Sequence, residues 1–178
     1  MTKKTLTPIL GISGFKGSGK TTLIEAMLRG LIERSMTVAV IKHQREPLHF
    51  DQPQTDTHRF YQAGASVLGY DGRSVFTQTH LPQDTHAPPA DPSEQTQRKF
   101  SLEQAIQRLG PGYDLILVEG FKRSDIDKIW LLRHGEQQLD PSITNVIEVL
   151  DWRDDRPQKA MTALKKWLKE KYNLPSDF

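Results

Sequence analysis

The sequence predicts a three-layer α/β fold, a mostly parallel sheet with helices on both faces and an added β-hairpin. Three observations predict it. The short apolar run Ile9-Leu10-Gly11-Ile12-Ser13 leads into a glycine-rich stretch, and then Leu23, Ile24, Met27, Leu28, Leu31 and Ile32 repeat at helical spacing. Thr37–Ile41 and Tyr113–Val118 are β-branched apolar runs of the kind that parallel sheets bury on both faces. Strand and helix patterns alternate along the chain. The 178 residues suit one domain, 1–178.

Pro8 opens the first strand. The stretch after it, Gly14-Phe15-Lys16-Gly17-Ser18-Gly19-Lys20-Thr21-Thr22, fits G-x-x-x-x-G-K-[ST]. Strand, glycine loop and helix is the setting this chemistry needs. Gly14, Gly17 and Gly19 let backbone N–H groups turn inward around a phosphate at the positive end of the helix. The expected nucleotide-binding residues are Gly14, Lys16, Gly17, Ser18, Gly19, Lys20, Thr21 and Thr22. Lys20 would reach the β- and γ-phosphates, and the Thr21 hydroxyl would ligate Mg²⁺. This is a P-loop nucleotide-binding pattern. The first helix is expected to run to about Arg34. The second strand, Thr37–Ile41, ends in Lys42-His43. Ligands of parallel sheets bind beyond the strands' carboxyl ends, so this pair falls on the nucleotide side, or else is a solvated strand end.

Residues 44–55 read as a loop, with Pro47 and Pro53 barring regular structure. Asp56–Ala63 reads as a short helix stopped by Gly64. Ser66–Tyr70 and Arg73–Thr77 flank Asp71-Gly72, a hairpin signal, expected at a sheet edge or as a flap. Residues from about 78 to 99 hold Pro82, Pro88, Pro89 and Pro92 and read as an exposed loop. His80 and His86 within it read as solvated rather than as a metal pair. Ser101-Leu102-Glu103-Gln104 is a capping box, followed by a helix with Leu102, Ala105, Ile106 and Leu109 on its apolar face. The strand Tyr113–Val118 runs into Glu119, an acid that would face the phosphate loop and hold the Mg²⁺ shell or orient a water. Lys128–Leu132 and Asn145–Leu150 read as further strands. A last helix from about Pro157 to Tyr172 carries Met161, Leu164, Trp167 or Leu168, and Tyr172 as its core stripe.

Composition narrows the function. Net charge is +2 with 26% charged residues, which implies no pull toward nucleic acid or a membrane surface. The chain has no cysteine, which excludes disulfides and thiolate metal sites and fits a reducing compartment. Met1–Thr7 lacks a signal-peptide core and no apolar run reaches membrane-spanning length, so a cytoplasmic protein is expected.

Several strings coincide with one family. GFKGSGKTTLIEAML, VAVIKH, the D-x-P-x-x-D-[ST] pattern at Asp51–Thr57, Ala63-Gly64-Ala65, DLILVEGFK, and Lys128-Ile129 with its strand together resemble the MobB family of molybdopterin-guanine dinucleotide biosynthesis. The likeness runs from the first strand to about Arg133. It implies a GTP-binding, slowly hydrolysing, homodimeric P-loop protein. That protein would act as an accessory of molybdenum-cofactor maturation. It would assist a MobA-like guanylyltransferase, which joins GMP to molybdopterin, without being that transferase. The sequence departs from the family where Gln44-Arg45-Glu46 stands in a stretch often rich in histidine. No N-K-x-D guanine motif occurs; Asp151, just past the last strand, is a candidate to meet the base, and guanine preference rests on the resemblance.

On this reading Lys20 and Glu119 carry the catalysis. Thr21, Glu119 and Asp56 surround Mg²⁺. Lys42, His43, Arg59 and Lys122 are candidate contacts for phosphate or for the pterin. No arginine finger is evident, which predicts slow turnover. Two other classes compete. A small-molecule kinase would need a lid bearing arginines, and the 78–99 loop offers only Arg98. A metallochaperone GTPase would need a clustered ligand set.

Overall fold

The computed structural model describes residues 7–42, 56, 58, 67–70, 75–78 and 101–174. The chain divides into two compact units, Met1–Gln44 with Phe100–Phe178, and Arg45–Lys99.

The first unit is built on five strands: β1 (Ile9–Gly14), β2 (Val38–Lys42), β5 (Leu115–Glu119), β6 (Lys128–Leu131) and β7 (Val146–Leu150). Their order is β2-β5-β1-β6-β7, and every pairing is parallel. The two central strands β1 and β5 are therefore neighbours although about a hundred residues separate them. The chain grows from β1 to one side and later returns to the other, and in open parallel sheets ligands bind where the direction reverses. Each β5 residue is buried, as the run of Leu, Ile and Val predicts for a strand covered on both faces.

Among the described residues three helices cover the sheet. Helix α1 (Lys20–Ile32) and helix α3 (Arg156–Tyr172) pack on one face, where Met27, Leu31 and Leu164 meet Leu10, Ile12 and Leu117 with no exposed surface. Burial of a side chain of this size contributes about 1.5–3 kcal/mol. Helix α2 (Leu102–Leu109) covers part of the other face, against Ala39, Ile116 and Val118. Its start is the reciprocal box the sequence predicts: Gln104 N–H donates to Ser101 Oγ at 3.2 Å, and Ser101 N–H donates to Gln104 Oε1 at 2.9 Å. Helix α3 starts at an Asp155 cap with Pro157 in its first turn, and stops at Asn173 in left-handed conformation. No helix among the described residues is long and apolar enough to cross a membrane.

Lys128 is wholly buried inside β6. Its Nζ donates to the carbonyls of Ser124 (2.8 Å) and Thr144 (2.9 Å), which ties the β5–β6 crossover to the segment entering β7. Burial pulls the lysine below its usual range, while Asp125 and Asp127 act in the opposite direction. Opposite it stands Gly11, where a methyl group would lie 2.9 Å from Lys128 Cβ.

In the second unit, β3 (Val67–Tyr70) and β4 (Val75–Gln78) form an antiparallel two-stranded sheet of their own. The predicted hairpin is present, but its ladder closes at Tyr70 and Val75 rather than directly across Asp71-Gly72. The connection is therefore four residues long, two more than the dipeptide signal suggests, and it lies outside the described residues. Asp56 and His58 are helical, as predicted. The rest of that helix and the 78–99 loop from residue 79 onward, with His80 and His86, lie outside the described residues.

Candidate functional site

The site grows from the turn between β1 and α1. Gly14, Gly17 and Gly19 all have positive φ (156°, 80° and 87°), so the backbone curls where most residues could not follow. Ser18 N–H donates to the Phe15 carbonyl at 3.2 Å and closes the turn. Gly19 then caps α1 without a side chain, and no acidic residue occupies the first turn. The first N–H groups of the helix and its positive dipole end thus face outward with nothing from the helix to neutralise them, which suits an anion. Ser18 is buried, and its hydroxyl has no hydrogen-bond partner among the described residues.

Lys20 bends over this turn, with Nζ donating to the Phe15 carbonyl at 2.9 Å. Burial lowers its pKa. Glu119 acts to raise it, and Lys42 adds to the lowering. Thr21 Oγ1 sits 3.1 Å from both carboxylate oxygens of Glu119. The sheet fixes this meeting, because Glu119 ends β5 in register with Ile12 of β1 on one side and Lys42 of β2 on the other. Lys42 Nζ lies 3.7 Å from Glu119 Oε2. Strand ends are stitched again where Ser13 Oγ donates to the Gly120 carbonyl at 3.0 Å.

Phe15 organises a second group of cations. Its ring packs edge-on against buried Trp130, with centroids 5.6 Å apart. Lys122 Nζ lies 4.7 Å and Arg133 Cζ 5.1 Å from the ring centroid. Both positive charges are thus held beside the loop by the ring's negative face.

The residues singled out from sequence divide accordingly. Gly14, Gly17, Ser18, Gly19, Lys20, Thr21, Lys42 and Glu119 come together, and Lys122 joins them through Phe15. Lys16 and Thr22 are exposed on the loop and the first turn of α1. Asp56 is an exposed residue of the second unit. His43 and Arg59 lie outside the described residues. Asp151 already has both oxygens engaged by Arg153, through N–H at 3.0 Å, Nε at 2.9 Å and Nη2 at 3.4 Å. Those hydrogen bonds hold its carboxyl below the usual range. Sequence reasoning missed Ser13 and Arg133. Ser13 ends an apolar run like any small residue, and Arg133 follows a strand with no motif around it.

The donor set fits a hard cation. A hydroxyl and a carboxylate within 3.1 Å of each other, at a helix start flanked by two ammonium groups, are oxygen ligands of the type Mg²⁺ takes in phosphate sites.

Residues 9–152 match the family model of MobB, molybdopterin guanine dinucleotide synthesis protein B. A Haemophilus influenzae molybdopterin-guanine dinucleotide biosynthesis adapter protein is 35% identical over 144 residues, which is 79% of this chain and 71% of the relative. Its Escherichia coli counterpart is 32% identical over 139 residues, 76% of this chain and 71% of the relative. The crystal structure of Bacillus subtilis MobB superposes with a TM-score of 0.55 at 25% identity, covering 84% of this chain and 82% of that one. A second structure, titled molybdopterin-guanine biosynthesis protein B, shares the fold with a TM-score of 0.61 at 23% identity, over 90% of this chain and 99% of that one.

Proposed function

This chain belongs to the MobB family, and we propose that it is a GTP-binding adapter of molybdopterin-guanine dinucleotide biosynthesis that assists a guanylyltransferase and hydrolyses GTP slowly. The observation that carries the nucleotide reading is the contact of Thr21 with both oxygens of Glu119, at an uncapped helix start that also holds Lys20.

On this proposal the loop N–H groups and Lys20 hold the β- and γ-phosphates. Lys20 leaves the Phe15 carbonyl for the phosphates, exchanging one acceptor for a charged one, which strengthens the bond. Thr21 and Glu119 would hold Mg²⁺, which neutralises phosphate charge when bound. Glu119 orients the attacking water. Lys42, whose Nζ lies 3.7 Å from Glu119 Oε2, sets with Lys122 and Arg133 a positive rim for a triphosphate or a phosphorylated pterin. Arg133 is held on the Phe15 ring. No sequence motif marks an arginine finger, and slow turnover is expected on that ground, since a well-placed arginine is worth about 10³–10⁵ in rate. The partner enzyme, molybdopterin and a second copy of this chain are the proposed partners.

The test is product analysis with Mg²⁺ and either GTP or ATP, with and without a guanylyltransferase. Binding of GTP, slow release of phosphate without an acceptor, and faster formation of the guanine dinucleotide by the partner support the proposal. Turnover of tens per second, or loss of the γ-phosphate only when a small-molecule acceptor is added, overturns it.

A further inference from the structure

We propose that Arg156 is the positioning residue of the phosphate loop, gripping its backbone from behind so that a loop N–H is aimed at the triphosphate. The inference rests on the nucleotide reading of the site and adds a residue to it. Arg156 is the first residue of α3 and lies beyond the stretch 9–152 that matches the family model.

Its guanidinium joins three segments at the carboxyl edge of the sheet. Nε donates to the Asp151 carbonyl at 2.9 Å, just past β7. Nη2 donates to the Leu132 carbonyl, just past β6. Nη1 donates to the Ser18 carbonyl at 2.6 Å, inside the phosphate loop. A guanidinium is flat and presents its donors in a fixed fork. With two arms fixed on strand ends, the third has one direction left, and the Ser18 carbonyl must lie along it.

The peptide bond converts that grip into a function. A trans peptide points its C=O and the next N–H in opposite directions. Drawing the Ser18 carbonyl toward Arg156 therefore turns the Gly19 N–H away from Arg156, to the other side of the loop. A cation on the carbonyl also polarises the peptide and strengthens that N–H as a donor. The packing behind the loop is close, for a methyl group at Gly19 would lie 3.3 Å from Nη1. No part of this arrangement needs Arg156 to touch the nucleotide.

The test compares wild type, Lys20→Ala, Arg156→Ala and Arg156→Lys by calorimetric titration with GTP and Mg²⁺, at a temperature where circular dichroism shows each variant folded. Arg156→Ala should weaken GTP binding about 10- to 100-fold, the worth of one or two charge-assisted hydrogen bonds. Arg156→Lys should not restore it, because one ammonium cannot span three carbonyls. Methylguanidinium at millimolar concentration should recover affinity in Arg156→Ala and leave wild type and Lys20→Ala unchanged, an effect that a merely structural arginine would not produce. Where the alanine variant fails to fold, the lysine variant carries the comparison. The inference is overturned alone if wild type binds GTP, Lys20→Ala does not, and folded Arg156 variants bind within about threefold of wild type. If wild type binds no triphosphate, the nucleotide reading and this inference fall together.

Discussion

Gly14→Ala and Gly17→Ala add the same methyl group to the same loop, and the structure makes their effects unequal. At Gly14 the new Cβ would lie 2.5 Å from Ser18 Oγ and 2.6 Å from the Leu131 carbonyl oxygen, with φ at +156°. At Gly17 φ is +80° and nothing among the described residues lies within 4 Å. Both substitutions strain the backbone, by about 1–3 kcal/mol for a residue held in a sparsely populated region. Only Gly14→Ala also overpacks its surroundings, which costs about 1–3 kcal/mol more. The hydroxyl of Ser18 can rotate away, but the Leu131 carbonyl belongs to β6 and cannot. Leu131 is paired with β1 at Gly14 itself and with β7 at Leu150. For a chain of this size a kcal/mol shifts Tm by about 2–4 °C. Gly14→Ala should therefore melt about 2–12 °C below Gly17→Ala, from the overpacking alone. Urea unfolding followed by circular dichroism should show a lower midpoint with an unchanged m-value. Equal melting temperatures for the two variants would refute the argument, because they would mean that the strand carbonyl yields to the methyl group.

Three further outcomes are expected. Lys20→Ala should abolish GTP binding or nearly so while leaving the protein folded, as titration and a thermal melt would show; wild-type affinity would remove Lys20 from the phosphates. Glu119→Gln should still bind GTP, but release phosphate about 10²-fold more slowly or worse, the usual worth of a group that positions a proton acceptor. An unchanged rate assigns Glu119 to structure alone. Asp127→Asn concerns acid stability. Burial pushes the Asp127 carboxyl up, but the hydrogen bonds from Lys171 (2.5 Å) and Trp167 (2.6 Å), with the charges of Lys171 and Lys128, hold it below its usual value. A carboxylate lowered in the folded state adds stability above its unfolded pKa and loses it as pH falls through the folded value. The variant should lose up to about 1 kcal/mol near pH 7 and show a shallower decline in acid, read from urea midpoints across that range. Parallel curves for the two proteins would refute it.

The fold was legible wherever a local pattern decides the element. The run Leu115–Val118 within the predicted strand Tyr113–Val118 reads as buried because all four side chains are apolar, and all four are buried, with Glu119 at the strand's end. Ser101 and Gln104 announce a helix start because their side chains satisfy each other's backbone, as they do. The hairpin was legible in kind, but Tyr70 pairs with Val75, so the Asp-Gly signal gave a loop and not its length. Strand order was legible only in class. No local pattern says that β5 lies between β1 and β2, since the information sits in which faces fit together. Lys128 shows the same limit. It opens a run that reads as a strand, and its burial depends on two carbonyls that sequence does not mark.

The site divides along the same physical line. On the nucleotide reading, Gly14, Lys20, Thr21 and Glu119 act through backbone freedom or through the chemistry of a side chain toward a ligand, and such roles demand particular residue types at fixed spacing. A motif records them. Lys122 and Arg133 act through the face of Phe15, a contact that many aromatic and basic residues could make, so only Lys122, carried by the EGFK string, stood out. Arg156 is further still from view. It meets Ser18 across 138 residues of sequence, and all three of its acceptors are backbone carbonyls. Every residue type except its own is silent in that interaction, since any residue at 18, 132 or 151 would offer the same oxygen. A phosphate loop therefore has a legible front, made of the residues that meet the nucleotide, and an illegible back, made of whatever holds its carbonyls. The Arg156 experiment asks how much of the loop's affinity resides in the second.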